Sequence, residues 1–232
     1  MKITRIYTFL ALLMVCSVSC SKTDEPDNGG NESNTLNGHE YVDLGLPSGL
    51  LWATCNIGAD APEDYGDYFA WGETQPKDVY DWSTYQYCNG GEGWNTLTKY
   101  CNDNEFGYNG FTDNLTALVP DDDAATANWG NGWRMPTMEQ WRELLDNTTR
   151  TWTTQNGVNG QLFTASNGNT LFLPAAGTGQ NNHGSYGYYW SGSLFPVCPV
   201  NAWYLMFDSE HISVGNYYTR IYGFSLRPVC QN

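Results

Sequence analysis

Asn128-Trp129-Gly130-Asn131-Gly132-Trp133-Arg134-Met135-Pro136-Thr137-Met138-Glu139-Gln140-Trp141, running on to Leu145, carries the strongest local signal in the chain. Pro136 is incompatible with a helix interior, and Thr137 followed by Gln140 has the spacing of the capping box that opens one. Behind that cap Met138, Trp141, Leu144 and Leu145 recur at helical spacing, while Glu139, Arg142 and Glu143 fall off their face. Trp129 and Trp133 precede the helix and are placed to pack under its first turn. Together with Arg134, Pro136, Thr137 and Trp141 they read as a buried strut rather than a reactive site.

The chain ahead of this stretch begins with Lys2 and Arg5, followed by the apolar run Ile6 to Val18. That run is too short to span a bilayer, and small residues precede Cys20, so residues 1–19 read as a secretory signal. Ser19-Cys20 resembles a bacterial lipobox, whose cysteine becomes the acylated N-terminus, although Ser17 departs from its usual aliphatic residue. Cys20 is therefore the candidate lipidation site, and the expected location is the cell surface, as an outer-membrane lipoprotein. Residues 20–38 are acidic and almost free of apolar side chains, the composition of a disordered tether. Its start, Ser21-Lys22-Thr23-Asp24-Glu25, either resembles the export signal of surface-exposed Bacteroidetes lipoproteins or is an ordinary solvated linker. Residues 39–232 suit a single domain with a sizeable core.

The chain carries 10 Lys+Arg against 25 Asp+Glu, a formal net charge of −15 at pH 7. Such a surface repels nucleic acid and anionic lipid, so the expected partner is a protein or a glycan, with membrane contact only through Cys20. Cys55, Cys88, Cys101, Cys198 and Cys230 follow Cys20, and none forms a CxxC or other metal-ligand spacing. Export permits disulfides. Cys88 with Cys101, and Cys55 with Cys230, are two pairings among several left open.

Tyr41 to Leu44 and Leu50 to Asn56 read as strands joined by the Pro47-Ser48-Gly49 turn, and Tyr68 to Trp71 as a short aromatic strand. Glu73 to Thr112 shows no sustained period and reads as a long irregular loop braced by Tyr80, Trp82, Tyr85 and Trp94. Asp121-Asp122-Asp123 before Ala124-Ala125 reads as a helix cap, because a calcium loop spaces its ligands alternately with Gly at the turn. After the central helix, Gln161 to Ala165 and Thr170 to Pro174 read as a hairpin with Asn167-Gly168 at its turn. Tyr188 to Ser193, Ala202 to Asp208 and Phe224 to Val229 are the remaining expected strands.

"GWRMPTMEQW" (132–141) resembles the helix signature of a bacterial branch of the C-type lectin-like fold. The closer likeness is to the Fibrobacter succinogenes major paralogous domain of Bacteroidetes lipoproteins. "EYVDLGLPSGLLWATCNIGA" (40–59), "YGDYFAWGET" (65–74), "LFLPAAG" (171–177) and "GFSLRPV" (223–229) resemble it in the same order. The likeness implies an α+β, C-type lectin-like domain: short antiparallel strands around one main helix, with long irregular loops. A fold of this kind does not by itself define a function.

Catalysis has no constellation to work with. His39, His183 and His211 are the three histidines, and no nucleophile elbow, His-Glu-x-x-His or phosphate-binding glycine loop occurs. The related formylglycine-generating enzymes have a reactive cysteine pair that finds no counterpart here. The expectation is a binding protein, not an enzyme, without cofactor or metal. Its contacts are assigned to two stretches read as loops, 194–200 and 211–222. The candidate residues are Phe195, Val197, Cys198, Val200, His211, Ile212, Asn216, Tyr217, Tyr218, Ile221 and Tyr222. Apolar and aromatic side chains in a loop point either to a contact surface or to loops tucked onto the core.

The ending also resembles variable proteins of diversity-generating retroelements, whose diversified positions never encode Lys, Glu, Gln, Met or Trp. Neither stretch contains any of these five types. An undiversified relative with the same ending fits equally. The alternative from another class is a structural or fimbria-associated cell-adhesion subunit that makes contact through 73–112.

Overall fold

The first and last described strands share one sheet of the computed structural model, which describes residues 34–90 and 93–231. The expected signal segment 1–19, Cys20 and the tether as far as residue 33 lie outside the described residues. β1 (Thr35–Leu36) pairs with β2 (His39–Asp43) through Asn37-Gly38, whose φ values of 51° and 84° are those of a type I′ hairpin turn. Ordered structure thus begins before the expected boundary at His39. β3 (Leu50–Ala53) is buried along its whole length, and β10 (Val229–Gln231) joins it antiparallel with Val229 opposite Trp52.

Two more antiparallel sheets follow. β4 (Thr148–Gln155), β5 (Val158–Ala165) and β6 (Thr170–Pro174) form one; β7 (Gly187–Leu194), β8 (Asn201–Phe207) and β9 (Ile212–Thr219) form the other. The α-helices are α1 (Ala124–Trp129) and α2 (Met138–Asp146), six and nine residues long. This overturns the expected α+β, C-type lectin-like arrangement of short strands around one main helix: the described residues form a β-rich fold with three sheets. The reason lies in the core. Trp141, Leu144 and Leu145 of α2 wall the smaller of two hydrophobic clusters, with Trp52, Phe163, Leu205 and Phe207. The larger cluster, built on Trp71, Tyr100, Trp133, Trp190 and Phe224, contains no α2 residue.

Local chemistry behaves as the sequence implies. The Thr137 hydroxyl accepts from Gln140 N–H at 3.3 Å, and Gln140 Oε1 accepts from Thr137 N–H at 2.9 Å, which closes the capping box. Arg134 donates to the same Oε1 at 2.7 Å, and the buried Trp141 indole donates to the Trp190 carbonyl at 3.3 Å. Trp129 and Trp133 are placed differently from expectation. They belong to the larger cluster, stand edge-to-face at 5.1 Å, and cover β1 and β2: Trp129 stacks on His39, and Trp133 Nε1 donates to the Leu36 carbonyl.

Four element readings need correction. Of Phe224 to Val229, expected as a strand, only Val229 lies in one (β10), while Phe224 and Ser225 make isolated bridges. Tyr68 to Trp71 makes only an isolated bridge, Phe69 to Phe224. β4 is an unexpected strand, turned into β5 by Asn156-Gly157 with φ of 46° and 87°. Most of 211–222, read as a loop, is β9, with seven of its eight residues paired to β8. All five described cysteines are free, so neither Cys88–Cys101 nor Cys55–Cys230 is bonded.

Candidate functional site

β8 and β9 carry the candidate surface, and a bulge decides which side chains meet there. Phe207 pairs with Ile212 and Leu205 with Val214, but Tyr204 pairs with Asn216, so Gly215 is the extra residue. Its φ of 89° lies in the left-handed region that favours glycine. Alternation along a strand resumes one residue out of step. Tyr217, opposite Trp203, therefore falls on the same face as Ile212 and Val214, whereas Asn216 and Tyr218 fall on the other.

On the first face Tyr217 lies flat on Phe195, with ring centres 3.9 Å apart and planes 3° apart. Trp203 meets Phe195 edge-on at 4.8 Å and Tyr217 at 6.2 Å. Tyr217 is 51 % exposed and Val197, in the neighbouring turn, 79 %. That turn is closed by Cys198 N–H to the Phe195 carbonyl and tied down by Asn102 Nδ2 to the Pro196 carbonyl at 2.8 Å. The aromatic triplet thus presents apolar area on a braced support.

On the second face Tyr218 meets Tyr222 edge-on at 4.8 Å and approaches Phe224 at 5.9 Å. Tyr188 stacks on Phe224 at 5.2 Å. Burial raises the pKa of the Tyr188 and Tyr218 phenols and pushes Tyr204 up to about 12, so these hydroxyls remain protonated near neutrality.

The expected site residues therefore divide. Phe195, Val197 and Tyr217 meet on one face, Tyr218 and Tyr222 on the other. Asn216 is half-buried and donates to the Ser213 carbonyl. Cys198 and Val200 are half-buried, and the Val200 carbonyl accepts from Arg220 N–H. Ile212 packs against the smaller cluster and Ile221 belongs to the larger one, which removes both from the contact surface. His211 stands apart, in a separate cleft with Trp152, Tyr186 and Asp208. Asp208 accepts backbone N–H groups from Glu210 and His211, and these bonds hold its carboxyl below the usual range.

Trp203 was read only as a strand residue. Its contact with Tyr217 depends on the Gly215 bulge, and the glycine within an alternating run was the one available signal.

Arg220, inside the expected contact stretch, is wholly buried. It donates to the Tyr100 carbonyl at 3.0 Å and the Lys99 carbonyl at 2.8 Å, and it lies over the Tyr85 ring at 5.3 Å. It pins the 73–112 segment to the end of β9.

The three consecutive aspartates do separate things. Asp123 caps α1 through Ala125 and Thr126 N–H and also accepts from Met135 N–H; burial raises its carboxyl above the usual range. Burial also works to raise Asp122, but hydrogen bonds from Lys99, Tyr100 and Tyr87 outweigh it and hold that carboxyl low. Asp121 is exposed. Among the described residues no group of three or more His, Cys, Asp or Glu is arranged to hold a metal ion, and no helix is long and apolar enough to cross a membrane.

In comparisons with known proteins the chain matches no family model, no curated protein and no solved structure.

Proposed function

We propose that this protein is a surface-anchored binding module that holds a protein or glycan ligand non-covalently through the outer ends of β7, β8 and β9. The observation that carries the reading is the Phe195–Trp203–Tyr217 triplet beside exposed Val197. Rigid aromatic side chains bury much area at little rotamer cost and dominate interface energies. The sheet beneath them is a firm support, as binding loops require. Retroelement-type diversification of 194–200 and 211–222 fits the same surface.

The test is a binding screen of the folded domain against glycan and cell-surface-protein arrays, followed by surface plasmon resonance on the hits. Tyr217→Ala is expected to weaken binding at least tenfold, about 1.4 kcal/mol. Its melting temperature should stay close to that of the parent, because an exposed side chain carries little of the core. Parental affinity in this variant, or loss of its fold, overturns the reading.

Anchoring rests on Cys20. Cys20→Ala should move the protein from the detergent phase to the aqueous phase; unchanged partitioning removes the anchor.

A further inference from the structure

The second face of β9 borders a cleft of about 170 Å³ between the 178–182 loop and the turn after β9. We propose that this cleft binds one neutral pyranose residue of a glycan, with the ring's C–H face on Tyr222 and Tyr218 and its hydroxyls on the amides of Gln180 and Asn181. The inference rests on the reading of the β8–β9 end as a binding surface and names the ligand for one side of it.

Four observations carry it. The residues lining the cleft are aromatic, amide or hydroxyl-bearing, and none is charged, in a chain whose net charge is −15. An anionic sugar would meet no cation there and an unfavourable overall field. The volume is well below the roughly 300–1,000 Å³ of pockets for drug-sized ligands, which limits it to a single small ring.

The chemistry is divided as a sugar requires. Tyr188, Tyr218, Tyr222 and Phe224 supply aromatic surface. Gln180 and Asn181 are exposed at the rim, their amides without a partner among the described residues, and each offers both donor and acceptor.

The rim is also built in advance. Thr178 Oγ1 accepts from Gln180 and Asn181 N–H, the Asn181 carbonyl accepts from Thr178 N–H at 2.8 Å, and Gly179 N–H donates to the Gly223 carbonyl at 2.9 Å. A Cβ on Gly223 would come within 2.7 Å of the Tyr80 ring, so the turn that fixes Tyr222 accepts only glycine. Less ordering is then left for binding to impose.

Saturation-transfer NMR on the whole domain in EDTA tests the proposal, with glucose, galactose, mannose and N-acetylglucosamine as probes and glucuronate as the anionic control. At least one neutral sugar should bind with an affinity of about millimolar order, as expected for so few ligand atoms. Glucuronate should give no signal.

Gln180→Ala combined with Asn181→Ala, both at exposed positions, should weaken the effect at least tenfold, as should Tyr222→Ala. Tyr217→Ala, on the opposite face, should leave it unchanged. Should Tyr222→Ala disturb the fold, the rim variants decide alone. Failure of all four sugars, equal binding of glucuronate, or silent rim variants overturns the inference. If an array ligand is lost in Tyr217→Ala while every sugar fails, the general binding reading survives and the sugar assignment falls.

Discussion

Two aromatic-rich stretches, 73–112 and 194–222, use their rings in opposite ways. The first buries most of its tyrosines, although Trp94, Tyr108 and Phe111 stay exposed. Tyr85 donates its hydroxyl to the Trp71 carbonyl at 2.8 Å, Tyr87 to the Gly72 carbonyl at 3.1 Å, and Tyr100 to the Asp122 carboxylate. Those rings pack edge-to-face on one another, and Tyr85 with Trp71 lies against the Arg220 guanidinium. In the second stretch the Tyr217 hydroxyl has no partner among the described residues, and its ring stays half outside. A buried phenol needs an internal hydrogen-bond partner, and leaving it unpaired carries the full desolvation penalty. Aromatic content alone therefore does not mark a binding surface; the presence of an internal acceptor separates the brace from the face.

The contrast can be broken most sharply at Tyr100. Its ring is fully buried against Trp71, so Tyr100→Ala should cost about 3–5 kcal/mol in denaturant unfolding, as large aromatic truncations do. A loss similar to that of Tyr217→Ala would erase the distinction between the two stretches.

A smaller effect is expected at the pin between them. Arg220→Met keeps the length of the side chain but strands the buried Tyr100 carbonyl and the half-buried Lys99 carbonyl, at a cost of about 1–3 kcal/mol. Limited proteolysis should then cut within 73–112 before any other described segment. Unchanged cleavage would show that the segment holds itself in place without Arg220.

The smallest effect belongs to Trp94, the aromatic residue of 73–112 that is 53 % exposed, beside Phe106. Trp94→Ala should change stability by no more than about 0.5 kcal/mol. It should also leave array binding intact. A lost ligand in this variant would move the contact surface to 73–112 and favour the adhesion-subunit alternative.

Much of the local structure was legible. The Thr137–Gln140 capping box, the Asp123 cap and the Asn167-Gly168 hairpin turn all depend on residues within a few positions of one another. Asn37-Gly38 and Asn156-Gly157 carry the same signal and mark real hairpin turns, although of the strands beside them only β2 and β5 are partly legible in the sequence. β4, with its run of threonines and half-exposed pattern, lacks the clean alternation that betrays a strand facing a core. β9 was missed for a related reason: the Gly215 bulge breaks its period midway.

The caps, the Asn167-Gly168 hairpin, the acidic balance and the apolar face of α2 are readable from residue order alone, because each follows from neighbouring residues or from composition. Long-range packing decided that three sheets, not α2, build most of the core. It also decided that Tyr217 and Tyr218 serve opposite faces, and that Arg220 is a buried pin rather than a contact. Those outcomes depend on strand register and on partners far away in the chain, such as the Lys99 carbonyl 121 residues from Arg220. Local propensity carries no information about either.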